Sequence, residues 1–111
     1  MLSISFRSGC EWTQDEIVVG EPYADLGWFI ADDVQRSPEV ATRLIEDLER
    51  VIAGKQPPLG GNGNAWTRDI DAKIARLTCY FATPVVTVEL PTPWLLYALE
   101  QWRDHLLQKG K

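Results

Sequence analysis

Polar and apolar residues alternate from the first residues of the chain. Leu2, Ile4 and Phe6 are interleaved with Ser3, Ser5 and Arg7, the period-2 signature of a strand with one face buried. Ser8-Gly9 reads as a turn, and Ile17-Val18-Val19 is a short β-branched run stopped by Gly20 and Pro22. Leu26 to Ala31 is a continuous apolar run that ends at Asp32-Asp33, and it reads as a third strand. The period then changes. Val40, Leu44, Ile45, Leu48, Val51 and Ile52 fall on one helical stripe, with Ser37 as N-cap, Pro38 in the first turn and Gly54 as the stop. Glu39–Arg43 and Glu46–Arg50 are spaced to pair along this helix, which is expected to pack on a sheet.

The stretch KQPPLGGNGN, residues 55–64, is a loop by composition. Strand periodicity returns at Trp66–Ile70 and at Lys73–Phe81, with a hairpin tip near Asp71-Ala72. In the second of these, Ala75, Leu77, Cys79 and Phe81 share one face. Thr83-Pro84 breaks the pattern before Val85–Leu90. A second helix follows, with Thr92 as cap, Pro93 in its first turn and Leu95, Leu99, Trp102 and Leu106 as its stripe. The predicted order is βββα–βββα. This is an α+β domain with a mostly antiparallel sheet and two helices packed against it.

Size and composition fit that architecture. The 111 residues suit one domain spanning 1–111, and 45% apolar content is enough for a core without disulfides or metals. Nothing approaches the roughly 18 consecutive apolar residues of a membrane span. The start MLSISFRSGCEW has neither a basic n-region nor an apolar h-region, so a cytoplasmic protein is expected.

Charge changes the picture more than composition does. The net charge is −5, but residues 1–50 hold eleven acids against four bases, a net of −7, while residues 51–111 carry a net of +2 from seven bases and five acids. An acidic face repels phosphate backbones, which argues against nucleic acid as a direct partner. It would attract cations or a basic protein and steer its approach; the other reading is that the acidity only keeps the protein in solution.

The side chains that could carry chemistry are sparse. Asp32 and Asp33 end an apolar run, where paired carboxylates would suit a metal or an acid/base site. In an extended segment, however, they would point to opposite faces, and no ligand motif surrounds them. A structural corner and a partner contact are the two readings left. His105 is the only histidine and borders the second helix's stripe without a nucleophile motif, so a flanking, non-catalytic histidine is expected. Cys79 alternates into the core as an inert thiol, and Cys10 has only Arg7 nearby to activate it. GGNGN lacks the Lys-Ser/Thr ending of a phosphate loop and leads into a strand, so it reads as a connector. No catalytic activity, cofactor or metal is expected. Of the five tryptophans, Trp66 and Trp102 are assigned to the core; Trp28 and Trp94 are undetermined, and Trp12, among acids in EWTQDE, is a candidate interface anchor.

The order of these pieces resembles a known group. GWFIADDV before a Ser-Pro helix, the Gly/Asn loop, AWTRDIDAKIARLTCYF and VVTVELPTPWLLYALEQWRDHL are similar to small bacterial immunity proteins of contact-dependent growth inhibition and related polymorphic-toxin systems. The similarity covers most of residues 24–108 as a pattern of elements. Immunity proteins span many folds without a shared signature, so no site residue carries over. The resemblance implies a cytoplasmic inhibitor that binds a cognate toxin domain, often a nuclease, and blocks its active site or substrate surface. The acidic half supplies the expected toxin-facing residues: Glu11, Trp12, Asp15, Glu16, Glu21, Asp25, Asp32 and Asp33. A small regulatory or scaffold protein is the alternative, and a metal-dependent enzyme using Asp32 and Asp33 the more distant one.

Overall fold

The computed structural model describes residues 2–10 and 14–109. Strands β1 (Ile4–Arg7) and β2 (Glu16–Val19) form an antiparallel pair with Phe6 opposite Ile17. Helix α1 (Leu26–Phe29) runs directly into a wider π-helical turn, Ile30–Val34. Helix α2 (Pro38–Ile52) follows, then strands β3 (Leu59–Asn62), β4 (Thr67–Ile70), β5 (Ile74–Cys79) and β6 (Val86–Pro91), and finally helix α3 (Thr92–Lys109). The second sheet is a four-stranded antiparallel meander in the order β3-β4-β5-β6. The class is α+β, as expected, but the element order differs from βββα–βββα in two places.

The first difference is at Leu26–Ala31, which is helical and not a third strand. Leu26, Phe29, Ile30 and Val34 are buried, a spacing of i, i+3, i+4 and i+8, so the run is one face of a helix. The second is β3, which lies inside the stretch expected to be a loop. Its LGGN sequence has little strand preference of its own. It is held by pairing, with Leu59 opposite Ile70 and Asn62 opposite Thr67, whose hydroxyl donates to Asn62 Oδ1 at 2.8 Å.

Helix α2 has the expected start. Ser37 Oγ accepts the Val40 N–H at 3.1 Å, Pro38 occupies the first turn, and Gly54 lies past the end at φ +74°. Its apolar face is Ala41, Leu44, Ile45, Leu48 and Val51, whereas Ile52 is exposed. This face packs chiefly on α3, which in turn contacts β5 and β6, so α2 forms a helix-on-helix layer and not the expected sheet cover. Arg50 pairs with Asp47 at 2.6 Å, one position short of the expected Glu46. The α3 stripe of Leu95, Leu99, Trp102 and Leu106 is buried as expected. Thr92, expected to cap α3 with its side chain, is fully buried and its hydroxyl donates to Asp71 O at 2.7 Å, tying the start of α3 to the β4–β5 turn. No helix among the described residues is long and apolar enough to cross a membrane.

Candidate functional site

The two adjacent aspartates sit in the π-helical turn, and their environment overturns the expectation that they diverge across a strand. Both reach the turn between β3 and β4. Trp66 Nε1–H donates to Asp32 Oδ2 at 2.9 Å, and the Ala65 N–H donates to Asp33 Oδ1 at 2.7 Å. The Asn64 amide adds a bond to the Asp32 carbonyl at 3.1 Å. Asp33's side chain is 0% exposed, and its Oδ2 lies 3.8 Å from Arg68 Nη2, with the guanidinium also over the Phe29 ring. Gly63 closes this corner, because a Cβ there would run into Asp33 Oδ2. Asp32 and Asp33 therefore form a clasp between the π turn and the β3–β4 turn, with Asp33 also beside Arg68 of β4.

A second clasp joins α3 to the first hairpin. Asp15 Oδ2 lies 2.9 Å from His105 Nε2, its Oδ1 accepts the Gly9 N–H at 2.7 Å, and its carbonyl accepts from Arg36 at 3.1 Å. The His105 ring stacks parallel on Phe6 at 4.2 Å between centroids. The histidine side chain is only 16% exposed, a packed flank of the α3 stripe. Cys79 is buried as expected, and Cys10 is exposed. No cluster of three or more metal-ligating side chains occurs among the described residues.

Between β2 and the α1–π segment lies a groove of about 880 Å³. Arg7, Glu16, Trp28, Gln35 and Arg36 line it, with Asp15 and Trp102 deeper. Helical geometry explains why Trp28 stands in it. Leu26, Phe29, Ile30, Asp33 and Val34 face inward, which leaves Trp28, Ala31 and Asp32 on the outer side, and the indole is 59% exposed. Gly27 allows the helix to come this close to β2, since a Cβ there would sit 3.2 Å from the Ile17 carbonyl oxygen. Gln35 ends the π turn at φ +59°, ψ −148°, a conformation that a side chain disfavours. It is held by its own N–H donating to Ile30 O at 2.7 Å and by Trp102 Nε1–H donating to its carbonyl at 2.8 Å.

The eight residues expected to face a partner are thus divided. Asp15 and Glu16 line the groove, with Glu16 exposed and paired to Arg7 at 3.2 Å. Glu21 and Asp25 are exposed in the turn that leads into α1. Asp33 is buried and Asp32 is exposed, each accepting a hydrogen bond from the β3–β4 turn, and Glu11 and Trp12 lie outside the described residues. Trp66 and Trp102 are buried as expected, while Trp94 is half-buried and edge-on to Tyr23 at 5.6 Å. Trp28, Gln35 and Arg36 are groove residues that sequence reasoning does not select. The i, i+3, i+4, i+8 spacing of Leu26, Phe29, Ile30 and Val34 is the signal that places Trp28 outside. No protein-family model, curated protein or solved structure matches this chain.

Proposed function

We propose that this chain is an immunity protein that binds a cognate toxin domain through the Trp28 groove and blocks its active site or substrate surface. The observation that carries the reading is Trp28 itself. A large indole held in the open on a packed helix, beside a groove that also holds the strained Gln35, has no evident use in the fold. Exposed tryptophans next to concave surfaces are typical anchors of protein interfaces, and backbone strain accumulates at binding sites. Glu16, Glu21 and Asp25 place negative charge on the hairpin and the turn beside it, which suits a partner with a basic, phosphate-binding surface. The pattern-level resemblance to toxin-system immunity proteins supplies the class of that partner.

The test is to establish whether the neighbouring reading frame encodes a protein with a toxic C-terminal domain, and to co-express that domain with this chain. Cells survive when this chain is present, and protection falls with Trp28→Ala or Glu16→Lys. Equal killing with and without the chain would overturn the reading.

A further inference from the structure

We infer that β6 is a dimerisation edge, at which a second copy of this chain adds its own β6 antiparallel across a two-fold axis and joins the two four-stranded sheets into one. The hydrogen-bonding phase of the sheet is set by two bonds. Thr92 N–H donates to Lys73 O at 2.9 Å, and Asp71 N–H donates to Ile74 O at 3.0 Å. Counting from them along the β5–β6 register, Ala75–Leu90, Leu77–Val88 and Cys79–Val86 are the hydrogen-bonded pairs. Arg76–Glu89 and Thr78–Thr87 are the close, non-bonded ones, consistent with their side-chain contacts at 3.0 and 3.4 Å. The main-chain N–H and C=O of Thr87 and Glu89 therefore point away from β5, and they make no other hydrogen bond among the described residues. β6 is six residues long, whereas the opposite edge, β3, has four and is interrupted by Gly61 at φ +112°. It is the better template for an added strand.

The occupant is argued from self-complementarity. A two-fold axis through Val88 puts Thr87 opposite Glu89 of the second copy, and Glu89 opposite its Thr87, so both bonding positions are used twice. Each Glu89, already paired with Arg76, then meets a hydroxyl and not another carboxylate. The same axis sets Val85, exposed at the start of one strand, against Pro91 at the end of the other, where the missing proline N–H leaves only an acceptor. None of these residues lines the Trp28 groove, so a dimer built this way leaves that groove accessible.

Sedimentation velocity on the full chain, across a concentration series, tests the inference. The wild type is expected to sediment as a dimer. Thr87→Pro removes an outward N–H that the ladder within one copy does not use, and by symmetry removes it twice, so association should weaken about 10- to 100-fold with the fold retained. If that variant does not fold, the register is read by disulfide capture in a Cys10→Ser background. Mixed Thr87→Cys and Glu89→Cys chains, whose opposed Cα atoms would lie about 5.5 Å apart, should cross-link more than either alone. A wild type that stays monomeric throughout the series, a Thr87→Pro variant that dimerises as well as the wild type, or a Cys pair with no preference over the single variants would each overturn it.

Discussion

The two ends of one short helical segment use their polar and aromatic residues in opposite ways. At the π turn, the exposed Asp32 and the buried Asp33 receive the Trp66 indole N–H and the Ala65 N–H, and Asp33 is sealed under Gly63 beside Arg68. On α1, Trp28 is left open above a groove. In sequence the aspartates read as a structural corner or a partner contact, and Trp28 is undetermined. The fold gives the aspartates a clasp, because a carboxylate next to orphan backbone N–H groups is worth more there than as a surface charge. A count of acids is not a map of an acidic face.

The largest effect that would break this comparison is at Asp33. Asp33→Ala leaves the Ala65 N–H and the Arg68 guanidinium without their carboxylate, and should destabilise by about 3 kcal/mol in urea unfolding. Gly63→Ala forces a methyl group into Asp33 Oδ2 and should cost about 2 kcal/mol in the same assay. Asp32→Ala, which loses a bond nearer the surface, should cost about 1 kcal/mol. Equal, small losses at the two aspartates would mean that the corner is not a clasp. Gln35→Gly runs the other way. It relieves the φ +59° conformation and should stabilise by about 1 kcal/mol, with the Trp102 bond to its carbonyl retained.

The smallest effect concerns a third carboxylate. Asp71 is exposed yet accepts the Ile74 and Lys73 N–H groups, and these bonds hold its carboxyl below the usual carboxylate range, the Ile74 bond most strongly. A lowered folded-state value means that the contribution to stability is present above the unfolded-state value and is lost as pH falls through the folded one. An NMR titration should place the Asp71 midpoint below that of a solvated aspartate. The substitution Asp71→Asn should remove this part of the acid-side stability loss.

What is legible in the sequence follows from local chemistry. The Ser37-Pro38 cap, the α3 stripe and strands β1, β4, β5 and β6 each carry their own period or capping residues, and all are found within a few positions of where they read. The segments that mislead are those decided elsewhere in the chain. LGGN becomes a strand only because Thr67–Ile70 offers it a partner, and Leu26–Ala31 is too short for its helical period to outweigh the look of a continuous apolar run. Asp32 and Asp33 are legible as a structural corner but not in geometry, since their donors are more than thirty residues away. The groove is half legible. Glu16 and Asp15 stand out by their charge, whereas Trp28 depends on a helix whose sequence reads as a strand.

The most direct measurement takes a toxin domain that this chain neutralises on co-expression, the partner proposed above, and titrates it calorimetrically into Trp28→Ala, with the variant's urea unfolding curve recorded alongside. Trp28 contributes little to the fold, so stability should change by less than about 0.5 kcal/mol, while the loss of an anchor should weaken binding by at least about 2 kcal/mol. A Trp28→Ala protein that is equally stable and binds the toxin domain as tightly as the wild type would contradict the division of this segment into a clasp at the π turn and a docking face at Trp28.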